Sequence, residues 1–106
     1  MLNWHTGKRV HCLDLLQVTS RAGAVASFCD CAILLEIWDR GGLLQTNSAV
    51  SPGTKISVPS IGDGLAAEVV SCQQDEFGFL VEISVQDPRW FPNGYIPPHL
   101  LEQTDS

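Results

Sequence analysis

Long apolar runs are missing from this chain. No window approaches the roughly 18 consecutive apolar residues that a membrane-crossing helix requires, and the opening stretch MLNWHTGKRVHC lacks the apolar core of a secretory signal. The expectation is a cytoplasmic protein with no membrane insertion. Basic residues are scarce: six Lys and Arg against twelve Asp and Glu give a net charge of −6, which opposes attraction to phosphate backbones and argues against DNA or RNA as a partner. Clustered histidines and paired carboxylates in a recognisable frame are also missing, so acid–base catalysis has no platform and no enzymatic activity is expected. Gly41, Gly42, Gly62 and Gly64 fit neither a dinucleotide-binding nor an NTP-binding fingerprint. No second close cysteine pair and no His-x-x-x-His spacing joins Cys12, Cys29, Cys31 and Cys72 into a zinc set. Free cysteine behaves as a small hydrophobe, so the favoured reading is buried structural thiols, with no metal and no cofactor. A metal site built from Cys29, Cys31 and a remote His11 or His99 is the minor alternative.

What is present is one domain's worth of alternating strands. The 106 residues are 44% hydrophobic and 17% charged, an ordinary globular balance. The organising stretch is CDCAILLEIWDRGGLLQT, Cys29 to Thr46. In a period-two reading Cys29, Cys31, Ile33, Leu35 and Ile37 share one face, which is expected to be the core face. Asp39-Arg40-Gly41-Gly42 ends the run in a sharp corner, where glycine permits positive φ or a close backbone approach. Ahead of it, residues 1–9 read as an extended or mobile arm with a basic end, and a strand is expected near residues 13–20. Ser20 to Gly23 makes a turn, and Val25 to Trp38 holds the longest strand. Local excess of positive charge, from Lys8, Arg9 and Arg21 against Asp14 alone, leaves room there for a small anionic ligand.

Beyond the corner, Ser51-Pro52-Gly53 signals a turn, Lys55 to Val58 a short strand, and Gly62-Asp63-Gly64 a connection into a strand over Leu65 to Cys72. Gln73 to Glu76 reads as the next turn. Phe77, Phe79, Val81, Ile83 and Val85 then alternate cleanly, and their shared face is expected in the core. After Gln86 an aromatic loop, DPRWFPNGY, leads to Pro97 and Pro98, which can open a short helix through His99, Leu100 and Leu101. Trp90, Phe91, Leu100 and Leu101 are expected to cap one mouth. The fold expected is therefore all-β: a single domain forming a small antiparallel barrel of about six strands, residues 10–86, with a short C-terminal helix in residues 87–106.

The order of a basic arm, the corner EIWDRGGLLQT, the turn Ser51-Pro52-Gly53-Thr54, two further strands and the run WFPNGYIPPHLL resembles a PilZ domain across nearly the whole chain. The resemblance implies cyclic di-GMP as ligand and bacterial signalling as role. Its ligand motifs are an RxxxR pair in the arm and a D/N-x-S-x-x-G turn after the second strand. The second arginine falls on Arg9 and the first on His5; the acidic position falls on Glu36, the serine on Trp38 and the glycine on Gly41. Arginine offers a planar, permanently charged fork for phosphate or a guanine edge, whereas histidine offers fewer donors. Losing one charge-assisted bond costs roughly 1.5–3 kcal/mol. Trp38 either fills the nucleotide's space, stacks on a base, or anchors an interface together with Arg40.

Two functions follow from the resemblance. In one, an altered cyclic di-GMP receptor uses Arg9 and Lys8 for phosphate or guanine, with His5 beside them; Gly41 allows close approach and Glu36 orients the pocket. In the other, a degenerate PilZ-like adaptor binds no nucleotide and works through a protein partner.

Overall fold

The computed structural model describes residues 8–21 and 29–100. Seven antiparallel strands make one sheet: β1 (Val10–Ser20), β2 (Cys29–Trp38), β3 (Gly41–Thr46), β4 (Lys55–Val58), β5 (Leu65–Asp75), β6 (Gly78–Ser84) and β7 (His99–Leu100). Their order is β2-β3-β6-β5-β4-β1-β7, and β1 also pairs with β2. Six strands thus close a ring, which satisfies backbone groups that an open sheet would leave on its edges. Closure depends on β1, whose length lets it pair with β2 over most of its course and reach β4 at Thr19 and Ser20. Its residues Cys12 and Leu13 also pair with Leu100 and His99 of β7. No helix among the described residues is long and apolar enough to cross a membrane.

The all-β expectation holds, and Lys55–Val58 forms a strand with the bounds expected of it. The short helix expected after Pro97 is instead β7, because Leu13 and Cys12 present an open strand edge to His99 and Leu100. Leu101 lies outside the described residues, as do Val25 at the start of the second expected strand and Ala22 and Gly23 of the expected turn.

The ring is filled by Leu16, Val18, Leu34, Ile37, Leu44, Ile56, Val58, Leu65, Val69, Val81 and Ile83, with Trp90 buried among them. Burying an aliphatic side chain of this kind contributes about 1.5–3 kcal/mol. Trp90 and Phe91 are buried and Leu100 packs partly against the same core.

The face of β2 is the reverse of the expected one. Asp30, Ala32 and Leu34 point into the ring, whereas Cys29 and Cys31 are exposed and Ile33 and Leu35 are half-buried. Ile37 is nevertheless inside. A bulge reconciles the two phases: Leu34 pairs with Leu44 and Glu36 with Leu43, so two residues of β2 pass against one of β3. Inward Asp30 is tolerated because its carboxylate accepts bonds from the backbone N–H groups of Asn47 and Ser48, at 2.7 and 3.0 Å, and from Asn47 Nδ2 at 3.3 Å.

Three further expectations change. Of the four cysteines expected to be buried, only Cys12 is; Cys29 and Cys31 are exposed and Cys72 is intermediate. Gln73 to Asp75 extend β5 instead of turning, which leaves Glu76 and Phe77 as the two-residue tip between Asp75 and Gly78. Phe77 is consequently 76% exposed, while Val81, Ile83 and Val85 of the same alternation are buried. The φ of 138° at Gly78 supplies the conformation that closes this hairpin.

Candidate functional site at the β2–β3 corner

Trp38 pairs with Gly41, so Asp39 and Arg40 alone make the loop between β2 and β3. Gly41 and Gly42 do not have positive φ, contrary to one of the two expected roles; close approach is the reason for them. A Cβ on Gly41 would strike the Ile83 carbonyl oxygen and lie 3.0 Å from Trp38 Nε1. One on Gly42 would meet Leu34 Cδ1 at 3.0 Å and Trp90 at 3.4 Å. Gly42 therefore faces the core, and Gly41 is the floor on which the Trp38 indole rests, on the outside of the ring.

Trp90 bolts this corner from within. Its Nε1 donates to the carbonyls of Trp38, at 2.9 Å, and Gly41, at 3.0 Å. The indole stacks on Tyr95 with centroids 5.4 Å apart, and the Tyr95 hydroxyl donates to the Asp14 carboxylate. Burial, then the bond and charge of Asp14, push the Tyr95 phenol well above its ordinary range. Burial, reinforced by Asp14 and Glu36, likewise pushes the Cys12 thiol up to about 12. At the entry to the aromatic loop the Arg89 side chain and backbone N–H bond Asp87 and hold its carboxyl down at about 2.

Over the outer face lies Arg9. Its Cζ stands 4.1 Å above the Trp38 ring, Nη1 is 3.8 Å from Glu36 and Nη2 is 3.3 Å from Glu82. The two carboxylates reach the same guanidinium because Glu36 pairs with Leu43 and Leu43 with Glu82, a single row across three strands. Trp38 is only 8% exposed, although it stands apart from the packed core cluster. A cation stacked on an aromatic face at an exposed site contributes about 0.5–1 kcal/mol.

Of the residues singled out in the sequence, Arg9, Glu36, Trp38 and Gly41 thus meet at one place. Lys8 is half-buried next to Arg9 in the chain, and Arg40 is exposed at the loop tip. Arg40 borders a cleft of about 430 Å³ with Asp39, Gln86, Asp87, Trp90 and Asn93. His5 lies outside the described residues. No sequence pattern marks Glu82, since only the three-strand register brings it to Arg9. Beside this cluster an open, mainly apolar groove of about 660 Å³ runs past His11, Leu13, Leu35, Leu43, Leu80 and His99. Among the described residues no three His, Cys, Asp or Glu side chains gather in a way that would hold a metal.

No protein-family model, curated protein or solved structure significantly matches this chain.

Proposed function

We propose that the chain is a PilZ-like interaction module in which its own side chains occupy the place of a nucleotide, and that it acts through contacts with a protein partner. The observation that carries this reading is the closed state of the Arg9 cluster. The guanidinium that would hold phosphate or guanine is already engaged by Glu36, Glu82 and the Trp38 face. The indole that replaces the motif's serine lies against Gly41, where a Cβ would stand 3.0 Å from its Nε1. Cyclic di-GMP would have to separate Arg9 from two carboxylates and uncover the ring before making its own contacts. The adjoining outer face carries Leu13 and Leu15, exposed by 50% and 68%, next to the apolar groove, and such surfaces suit protein contacts.

The receptor reading is supported by one feature: the Arg9 side chain is half exposed, so a phosphate could compete with the carboxylates for its fork. Isothermal titration calorimetry with cyclic di-GMP at low and moderate salt separates the two. No heat at high micromolar ligand is the expected result. Low-micromolar binding that Arg9→Ala weakens would replace the interaction module by a receptor.

A further inference from the structure

Two of the thiols that this reading leaves unused are exposed and stand side by side on one strand. Cys29 and Cys31 begin β2, and both are exposed. As alternate residues of one strand they project to the same side, outward, since Asp30 between them points into the ring. Gln17 pairs with Cys31, yet its Nε2 donates to Cys29 Sγ at 3.0 Å. The diagonal bond places Gln17 and both thiols on one patch and uses the Cys29 sulfur as an acceptor, the role that a metal-bound thiolate keeps.

We propose that Cys29 and Cys31 form a two-thiolate clamp for a soft monovalent cation, Cu(I). Strand geometry separates same-face Cβ atoms by about 6.6 Å, two residues' rise. A disulfide needs Cβ atoms about 3.5–4.5 Å apart, so direct oxidation of the pair would require the strand to deform. A bridging atom removes that conflict. Zinc–sulfur bonds are about 2.3 Å; two copper–sulfur bonds of about that length in line set the sulfurs no more than about 4.6 Å apart, which two side chains leaning towards each other can reach from an undistorted strand.

The cation follows from the donor set. Zinc takes four ligands in a structural site, and no third His, Cys, Asp or Glu joins these thiols among the described residues. Thiolates select soft ions, Cu(I) foremost, and a filled d shell accepts two donors in line. The binding step balances without redox change: two S–H bonds break, two protons leave to solvent, two Cu–S bonds form, and the clamp with its ion carries one negative charge. Cys12 is no competitor, because its buried thiol keeps its proton.

The test is an anaerobic Cu(I) titration of the full chain against a chromophoric Cu(I) chelator, with sedimentation of the loaded protein. The expected result is one equivalent withdrawn from the chelator by a monomer. Cys29→Ser and Cys31→Ser should each abolish it, and Cys72→Ser should not. Gln17→Ala should weaken retention by about tenfold, as loss of a partner behind a metal ligand does. Because both thiols lie outside the core, these serine variants keep the far-ultraviolet spectrum of the parent. Unchanged uptake by the Cys29→Ser/Cys31→Ser chain would overturn the clamp. So would a loaded dimer, which would draw its sulfurs from two chains.

Discussion

Gly41 is the residue whose smallness matters most at the corner. A methyl there meets a backbone oxygen, Ile83 O, on the neighbouring strand, and cannot turn away as a flexible side chain would. Gly41→Ala is therefore expected to destabilise the protein by roughly 3 kcal/mol, at the upper end of what overpacking costs, as measured by urea unfolding. Trp90 acts on the same corner from the core side. Trp90→Phe keeps an aromatic ring but deprives the Trp38 and Gly41 carbonyls of their shared donor, for an expected loss of about 1–3 kcal/mol. Arg9 should behave differently. Its ion pairs are half exposed, so Arg9→Ala is expected to change stability by no more than about 1 kcal/mol while uncovering Trp38. A red shift of tryptophan emission with little change in the unfolding midpoint would bear that out; a large loss of stability would mean that Arg9 is structural.

At β2 the sequence is legible as a strand and misleading as a face. Ala32 to Ile37 offers apolar residues in both phases, so alternation alone cannot decide which set turns inward. The bulge between Leu34 and Glu36 then lets Leu34 and Ile37 both be inside, a result no strict period of two allows. Asp30 completes the deception, since a carboxylate reads as outward until its donors are known, and these lie beyond the next strand at Asn47 and Ser48. Lys55–Val58 was legible because a short polar–apolar alternation between two turns leaves no second phase. The candidate site divides in the same way: Arg9 falls on the arm motif of the resemblance and Glu36, Trp38 and Gly41 on its turn motif, whereas Glu82 enters only through β3, whose register no local pattern encodes. Asp30 also joins two elements, holding the exit of β3 to the start of β2. Asp30→Ala leaves two backbone N–H groups without their acceptor and is expected to cost about 2–3 kcal/mol, with early loss of amide protection at Asn47 and Ser48 in hydrogen exchange.

Closing a ring around one long strand puts two weak acids where water would otherwise favour their ionisation. Cys12 is buried on β1, and Tyr95 is held against Asp14 of the same strand by the loop that Trp90 anchors. Both groups keep their protons more firmly folded than unfolded. Their contribution to stability is complete below the unfolded values, 9.0 for the thiol and 10.0 for the phenol, and is lost as pH rises above them. Between pH 9 and 12 the unfolded chain has released the Cys12 proton while the folded one retains it, so unfolding free energy falls by about 1.4 kcal/mol per pH unit from this group alone. Tyr95 adds a fall of the same sign above pH 10. Urea unfolding at pH 8.0, 9.5 and 10.5, to about 0.1 unit, should give a midpoint that declines ever more steeply across the series. Cys12→Ala should remove the first part of the decline and Tyr95→Phe the second, each lowering stability at pH 8 through lost packing or a lost bond. A midpoint constant through pH 10.5 would show that these two groups ionise as freely in the ring as in the unfolded chain, and that β1 and the aromatic loop are open to water at the place where they meet.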